Sequence, residues 1–133
     1  MKLKEIPIKP LSPFEVMLAL RVLSVDEGFA LVEMPFRKEI TQPAGVAHGG
    51  AITSLADTAA AIALKNLVGP KEHYFTARLE IRFLCPFKEG KLVAEARIIE
   101  KKKRIAIGNV KIRDKKGVLT AKATVTLLIK KIV

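Results

Sequence analysis

The sequence predicts an α+β fold in which a curved antiparallel β-sheet wraps around one long central helix. Two observations support this class: the order of the segments, which runs two strands, one helix and four strands, and the polarity of their faces. The helix is apolar nearly all round, as is typical of a helix buried on most sides. The later strands alternate apolar and polar residues, as is typical of an antiparallel sheet with one solvated face. A sheet curved around the helix satisfies both patterns.

The first segments predict a short helix and then a hairpin. Ser12, Pro13 and Glu15 supply a capping hydroxyl, a proline at the first helical position and an early acid, which together are typical of a helix start. Residues 19–25 and 29–36 are rich in apolar residues and are divided by an Asp-Glu-Gly turn. We therefore expect two paired strands here.

The long helix is expected in the middle of the chain. A loop over residues 37–47 leads to His48-Gly49-Gly50 and then to a run rich in alanine over residues 51–64. Alanine strongly favours helix, and Gly69-Pro70 is a typical helix terminator.

Four alternating segments complete the predicted sheet. In the first, the expected apolar face carries Phe75, Ala77, Leu79, Ile81 and Phe83, and the expected polar face carries Thr76, Arg78, Glu80 and Arg82. The expected inward residues of the other three segments are Leu92, Ala94, Ala96 and Ile98, then Ala106, Gly108, Val110 and Ile112, and finally Leu119, Ala121, Ala123, Val125, Leu127 and Ile129.

Length and composition limit the class of protein. A chain of 133 residues with 50% hydrophobic residues predicts a single domain over residues 1–133, because a chain of this size builds one core. The one cysteine, Cys85, excludes an intrachain disulfide framework and a cysteine-ligated zinc site. The two histidines are far apart and no glycine motif for phosphate occurs, so we expect neither a metal nor a resident cofactor.

The sequence also predicts where the protein acts. Pro7, Pro10 and Pro13 interrupt the N-terminal segment, so no apolar core of a signal peptide is expected. Asp57 lies in the middle of the longest weakly polar run, residues 49–68, which argues against a membrane span. We therefore expect a soluble cytoplasmic protein with no membrane partner.

The net charge of +11 is concentrated near the C-terminus. Residues 91–133 carry 13 lysines and arginines against 3 acids. Two interpretations stay open: a surface that binds anions, or solvated turns and outward strand faces. Nucleic acid is not the expected partner, because six phenylalanines at mostly core-like positions, one tyrosine and no tryptophan leave no visible platform for stacked bases.

Two features could carry chemistry. Asp57 lies mid-helix with no lysine or arginine within four positions, and an unpaired carboxylate is costly to remove from water. A position on a narrow exposed stripe of the helix, or an ion pair with a distant arginine, would also explain this carboxylate. His48-Gly49-Gly50 precedes the helix, where free N–H groups attract a polarised oxygen and glycine lets a ligand approach. A plain turn capped by His48 is the alternative.

The spacing of these two features predicts an oligomer. His48 and Asp57 are nine residues apart, and at about 100° per residue they point half a turn away from each other. One straight helix cannot turn both toward one pocket. If they cooperate, Asp57 of one chain meets the helix start of another, which predicts a homo-oligomer with shared sites.

These residues resemble those of a known family. Residues 42–50, the triplet Leu55-Ala56-Asp57 and the strand end over residues 81–86 are similar to those of hotdog-fold acyl-CoA thioesterases of the phenylacetate-degradation (PaaI-type) branch. The resemblance extends from about Leu18 onward. It implies a hotdog-fold enzyme that hydrolyses small, medium-chain or aryl acyl-CoA to free acid and coenzyme A. It also implies a dimer or a dimer of dimers, in agreement with the spacing.

The resemblance implies a role for each matching catalytic position. Asp57 corresponds to the catalytic carboxylate, which acts as a general base or as a nucleophile. Gly49 corresponds to the residue whose N–H polarises the thioester carbonyl, and His48 to the neighbour that orients this loop. Gln42 stands where many relatives carry asparagine near the carbonyl. Thr76 stands where some relatives place a hydroxyl that helps to hold the water.

Substrate binding is expected at two further places. Gly50, beside Gly49, lets the substrate approach the backbone. Lys102, Lys103 and Arg104 lie near the place where relatives bind the nucleotide end of coenzyme A.

Two other functions stay open at this point: a non-catalytic acyl-CoA-binding or regulatory hotdog protein, and a hotdog enoyl-CoA hydratase. Regulators of this fold usually add a DNA-binding segment, and residues 1–12 are too short for a helix-turn-helix. A hydratase needs a histidine and a carboxylate placed for α-proton chemistry, whereas His-Gly-Gly with a mid-helix aspartate suits hydrolysis better. Ligand binding without thiol release would identify the binding protein.

Overall fold

The computed structural model describes residues 11–132. Pro7 and Pro10, on which the expectation of no signal peptide depends, lie outside these residues. The elements follow the predicted order: α1 (Pro13–Met17), β1 (Arg21–Asp26), β2 (Phe29–Pro35), a 3₁₀ turn (Lys38–Ile40), α2 (Gly49–Lys65), β3 (Glu72–Phe83), β4 (Lys91–Lys101), β5 (Ile105–Asp114) and β6 (Leu119–Lys131).

The six strands form one antiparallel sheet in the order β1-β2-β4-β5-β6-β3. The chain therefore leaves β2 near one edge, passes through α2 and returns as β3 at the opposite edge. The hydrophobic core lies between α2 and the sheet face that it covers. This arrangement confirms the predicted α+β architecture of a sheet around one helix. Within residues 11–132, no helix combines the length and the apolar character needed to cross a bilayer.

The predicted helix start at Ser12 is confirmed. The Ser12 hydroxyl accepts a hydrogen bond from the Glu15 N–H at 3.4 Å, and the Glu15 carboxylate accepts one from the Ser12 N–H at 3.1 Å. This reciprocal pair is a capping box, which satisfies two N–H groups that a helix start leaves free. As expected, the helix is short.

The central helix α2 is covered on one side only. Along its length two buried residues alternate with two half-buried ones, so one stripe faces the sheet. The expectation of a helix buried on most sides is therefore wrong for a single chain, because the sheet covers one face of the cylinder. The half-buried stripe consists of Thr53, Ser54, Asp57, Thr58, Ala61 and Ile62.

Small residues let α2 lie close to the sheet. The sheet-facing stripe of the helix includes Ala56, Ala59, Ala60 and Ala63, all fully buried. Opposite them, a Cβ placed on Gly108 would lie 3.5 Å from the Ala60 Cβ, which is ordinary van der Waals contact. The helix and β5 therefore pack with little room for a larger side chain at this crossing.

The predicted alternation is confirmed in β4, in β5 and, from Ala121 onward, in β6. At the start of β6, where the pairing with β5 shifts, Thr120 is buried and the expected inward Leu119 is only half-buried.

The predicted alternation is partly wrong in β3. Thr76 pairs with Leu127, Arg78 pairs with the adjacent Thr126, and Ala77 has no partner. This β-bulge shifts the alternation by one residue. Residues directly opposite each other share a face, so Thr76 lies on the helix side with Leu127, not on the expected polar face.

The bulge also moves Phe75 to the other side of the sheet. Phe75 pairs with Leu128, and the two are 50% and 37% exposed. Beyond the bulge, Leu79 and Ile81 pack against the core as expected. The sequence prediction therefore holds for the second half of β3 and fails for the first half.

Candidate active site

The helix start is held in place by two neighbouring segments. The His48 N–H donates to the Ile40 carbonyl at 2.7 Å, and the Ala47 N–H donates to the Phe87 carbonyl at 2.8 Å. Phe87 is buried and its ring meets the Phe36 ring edge to face, 5.4 Å between centroids. Contacts on both sides thus fix the direction in which the first turn of α2 points.

The first turn of α2 presents an N–H group that is free with respect to residues 11–132. His48 is the N-cap, and its Nδ1 accepts the Gly50 N–H at 2.8 Å. The Ala51 and Ile52 N–H groups donate to the His48 carbonyl. Among the described residues, the Gly49 N–H has no acceptor. It lies at the positive end of the helix dipole, where it can bind a polarised carbonyl oxygen.

His48 and Gly50 therefore form a hydrogen bond with each other inside this turn. Because Nδ1 of His48 accepts a hydrogen bond, the neutral ring carries its hydrogen on Nε2. The Gly50 N–H is already engaged, so what Gly50 offers a ligand is its lack of a side chain. Both residues are exposed and line a depression of about 370 Å³ together with Ile40 and Ser54.

Gly49 lies directly under an aromatic ring. A Cβ placed on Gly49 would lie 3.3 Å from Cζ of Phe83 and within 3.7 Å of two further ring carbons. Phe83 is nevertheless 51% exposed. Phe83 is predicted on the inward face of its strand, but the sequence suggests no role for it, since nothing in its spacing relates it to Gly49, 34 positions earlier.

Asp57 lies on the half-buried stripe of α2 and accepts a hydrogen bond from Thr76. The distance from Thr76 Oγ1 to Asp57 Oδ1 is 2.5 Å. Within residues 11–132, no lysine or arginine forms an ion pair with Asp57. The bulge at Ala77 places Thr76 on the helix side, so the carboxylate is oriented by a hydroxyl instead of a cation.

Gln42 holds its own loop together. Its side-chain Oε1 accepts the Ala44 N–H, its N–H donates to Val46 O at 2.9 Å, and its carbonyl accepts the Gly45 N–H at 2.9 Å. The side-chain amide thus closes the turn that precedes the helix. The structure gives Gln42 a contact within the loop and none to Asp57 or Thr76.

One chain does not bring Gly49 and Asp57 together. They are eight positions apart on α2, and at about 1.5 Å per residue the rise is about 12 Å. The predicted site residues therefore form two groups in one chain. One group is at the helix start, with Gln42, His48, Gly49 and Gly50, and the other is at mid-helix, with Asp57 and Thr76.

The predicted basic residues separate as well. Lys102 pairs with Glu100 at 3.4 Å. Lys103 and Arg104 line a cavity of about 340 Å³ with Lys130 and Lys131 at the end of β6. We call these four residues the basic cluster. Lys130 and Lys131 were not among the predicted binding residues, although the pair is visible as a short charge run near the C-terminus.

Two further observations concern titratable and metal-binding groups. Burial, with the Glu15 carboxylate as a second cause, raises the pKa of Tyr74. Tyr74 precedes Thr76 on the helix side of β3, and it is the apolar surroundings that disfavour its charged form. In the part of the chain that the structure describes, no three histidine, cysteine or acidic side chains lie close enough together to hold a metal ion.

Known proteins resemble this chain over most of its length. The family model of the thioesterase superfamily matches residues 44–121. A candidate esterase of Saccharolobus solfataricus is 32% identical over 106 residues, which cover 80% of this chain and 75% of that protein. The 1,4-dihydroxy-2-naphthoyl-CoA hydrolase of Listeria monocytogenes is 28% identical over 114 residues, which cover 86% of this chain and 93% of the hydrolase.

A solved structure agrees with these sequence relatives. It is an asparagine-to-aspartate variant of the phenylacetic acid degradation protein PaaI from Thermus thermophilus, 30% identical to this chain. The two superpose with a TM-score of 0.80 over 88% of this chain and 98% of that one.

Proposed function

This chain belongs to the thioesterase superfamily, and from that premise we propose that it hydrolyses acyl-coenzyme A thioesters with small, medium-chain or aryl acyl groups. It is a thioester hydrolase of the hotdog fold. The observation that carries the proposed chemistry is the pair of a hydroxyl-oriented carboxylate, Asp57, and a free N–H, Gly49. The Listeria relative, which hydrolyses an aryl-CoA, supports aryl groups as part of the substrate range.

The proposed reaction uses these two groups together. The Gly49 N–H binds the carbonyl oxygen and stabilises the negative charge that develops on it. Asp57 takes a proton from a water molecule, whose oxygen attacks the carbonyl carbon. The carbon–sulfur bond then breaks, and the coenzyme A thiolate leaves and takes up a proton. Direct attack by Asp57, through a mixed anhydride that water then hydrolyses, would use the same contacts.

Thr76 is the proposed positioning residue for Asp57. Its hydroxyl occupies Oδ1 of the carboxylate, which leaves Oδ2 for the water or for the substrate carbon. A hydroxyl donor orients a carboxylate without adding a positive charge next to it. The carboxylate therefore stays available as a base.

We propose that the site is shared between two chains of a homodimer or of a dimer of dimers. The 12 Å of helix rise between Gly49 and Asp57 (about 1.5 Å per residue) prevents both from acting on one carbonyl within a chain. A two-fold axis that pairs the half-buried stripes of two α2 helices would oppose Asp57 of one chain to Gly49 of its partner. The strand β3 supports this arrangement, because it is a sheet edge with unpaired backbone groups.

The basic cluster is the proposed binding site for the coenzyme A phosphates. It joins Lys103 and Arg104 to Lys130 and Lys131 around one cavity that Glu72 also lines. Four cations against one carboxylate leave an excess of positive charge, which attracts a multiply charged anion. Lys102, which pairs with Glu100, contributes to the field near the cavity. A cytoplasmic site of action is part of the proposal, since a chain with one cysteine needs no oxidising compartment.

Thiol release from a panel of acyl-CoA and aryl-CoA esters tests the proposal. The native protein should turn over at least one ester class. Asp57→Asn, which keeps the size and loses the negative charge, should lower kcat by about 10²- to 10⁴-fold. Asp26→Asn, at the exposed end of β1, is the matched control and should retain native turnover.

Two results of this experiment would contradict the proposal. A native protein that binds acyl-CoA and releases no thiol would be a binding protein. A fully active Asp57→Asn variant would show that Asp57 takes no part in the chemistry.

Repeating the assay at rising salt tests the basic cluster. KM should rise because ions screen exposed charges over about 8–10 Å, and a KM independent of salt would exclude the cluster from binding.

A further inference from the structure

Phe83 is a large apolar side chain that the chain leaves half uncovered on the helix side of its sheet. It is the last residue of β3 and pairs with the buried Ala121. It lies on the same side as Leu79 and Ile81, which pack against the core, but it is 51% exposed. An exposed aromatic ring keeps apolar surface in water at a cost in free energy, so a ligand or a partner that covers it gains that energy.

The ring is next to the free N–H of the helix start. The position of a Cβ on Gly49 is 3.3, 3.6 and 3.7 Å from three ring carbons of Phe83. A carbonyl oxygen bound to the Gly49 N–H would lie about 3 Å from that nitrogen. The atoms attached to such a carbonyl are therefore in the neighbourhood of the Phe83 ring.

We propose that Phe83 forms a wall of the acyl pocket and determines which acyl groups the enzyme accepts, an inference that rests on the proposed thioesterase function. The neighbourhood of Gly49 is apolar at Phe83, whereas the basic cluster, which suits phosphates, lines a separate cavity. The ring thus meets the acyl end of the substrate. Its flat apolar surface favours acyl groups large enough to touch it, since aromatic rings and apolar chains pack against such a surface.

The same contact explains a requirement at Gly49. A Cβ at 3.3 Å from Cζ would press on the ring, so the glycine lets Phe83 lie over the helix start. Phe83 then acts by shaping the pocket beside the reacting carbonyl. It has no polar atom and takes no part in proton transfer, so its replacement should change the preference among acyl groups.

The test compares kcat/KM for acetyl-CoA, hexanoyl-CoA and phenylacetyl-CoA in the native protein, Phe83→Ala and Phe83→Leu. In Phe83→Ala, the ratio of phenylacetyl-CoA to acetyl-CoA should fall about tenfold, because a contact between aromatic groups and the burial of the acyl group are both lost. Phe83→Leu keeps apolar volume without the ring. Compared with Phe83→Ala, it should restore kcat/KM for hexanoyl-CoA more than kcat/KM for phenylacetyl-CoA. It also provides the test if Phe83→Ala does not fold.

Phe75→Ala is the matched control. Phe75 is on the same strand with a nearly equal exposure of 50%, but on the opposite face of the sheet, where its ring centroid lies 5.9 Å from Nζ of Lys130 in the basic cluster. Its loss therefore acts on the coenzyme A end that all three esters share, and the ratio should not change. A ratio in Phe83→Ala within twofold of the native one would overturn the inference. So would equal loss on all three esters with dissociation of the oligomer in size-exclusion chromatography, which would make Phe83 an interface residue. A native protein without turnover would instead reject the proposed function, and this inference with it.

Discussion

The candidate catalytic carboxylate, Asp57, is oriented by a hydrogen bond from Thr76. The carboxylate lies half-buried on α2, and the Thr76 hydroxyl is 2.5 Å from its Oδ1. With no ion pair to Asp57 among residues 11–132, this hydroxyl is the polar contact that orients it. A hydrogen bond to a charged group is stronger than one between neutral groups, so its loss should be measurable.

Replacing Thr76 tests this positioning role. Thr76→Val keeps the shape and removes the donor, so the carboxylate loses its fixed direction. We expect kcat to fall about tenfold, as for a charge-assisted hydrogen bond of about 1.5 kcal/mol, while KM stays nearly constant. Thr76→Ser, which keeps the hydroxyl, should retain most of the native kcat.

Steady-state kinetics on folded protein decides this prediction. Circular dichroism should show native secondary structure in both variants. A Thr76→Val protein with the native kcat would show that Asp57 needs no orientation by this hydroxyl. A rise in KM alone would instead assign Thr76 to substrate binding.

At the scale of the elements, the contact between α2 and the sheet depends on small side chains. Ala60 is fully buried and faces Gly108 of β5, where a Cβ would lie 3.5 Å from the alanine Cβ. Protein interiors are packed to the density of organic crystals. A longer side chain at this crossing must therefore push the helix away from the strand or adopt a strained rotamer.

Ala60→Leu should destabilise the protein by this overpacking. We expect a loss of about 1–3 kcal/mol in the free energy of unfolding. Urea denaturation at a fixed protein concentration measures it. Ala44→Leu, in the exposed loop before the helix, is the control and should change the free energy of unfolding by no more than about 0.5 kcal/mol. Equal stability of Ala60→Leu and the native protein would contradict the tight crossing.

In the first half of β3 the alternation of the sequence predicts the wrong face of the sheet. Polar and apolar residues alternate along this segment, and that alternation predicted Thr76 on the outer face. A bulge at Ala77 inserts one unpaired residue, which reverses the faces before it. The residue type at position 77 does not indicate a bulge, because alanine is neither a typical turn residue nor a glycine. Only the pairing with β6, more than forty residues later in the chain, reveals the bulge.

For the whole molecule, the surface features fit a protein that works with a second copy of itself. The single chain covers the half-buried stripe of α2 only in part, and it leaves the edge strand β3 without a neighbouring strand on one side. Asp57 lies on that stripe, and Gly49 lies about 12 Å of helix rise away, at about 1.5 Å per residue. A complete site therefore needs groups from two chains, which can be tested by mixing.

Asp57→Ala, which removes the carboxylate, should be inactive. Gly49→Val should be inactive as well, because its side chain would press on the Phe83 ring and obstruct access to the N–H that it retains. Mixed together, the two variants should restore activity. After refolding an equal mixture, about half of the dimers pair unlike chains by random association. Each mixed dimer has one intact site, with Gly49 from one chain and Asp57 from the other. Thiol release should recover to about one quarter of the native rate, because half of the dimers have one working site of two.

A mixture that stays as inactive as its parents would contradict the shared site. Refolding each variant alone is the control for the procedure and should restore no activity. Size-exclusion chromatography of the mixture should show the same oligomer as the native protein, so that a failure to associate is recognised.

The sequence by itself determined the elements, their order and the main chemical candidates. Capping at Ser12, alanine content in α2 and alternation in β4 to β6 are local properties, because each depends on residues a few positions apart. Asp57 and Gly49 could be selected in the same way, from a lone carboxylate in an apolar helix and from glycines at a helix start.

The tertiary structure alone decided how these residues meet. The contact of Thr76 with Asp57, the ring of Phe83 over Gly49 and the basic cluster of Lys103, Arg104, Lys130 and Lys131 join residues about twenty or more positions apart. Such contacts depend on strand register and on one bulge, and a shift of one residue moves a side chain to the other face. Local patterns contain no information about register between distant strands, so these contacts could not be derived from the sequence.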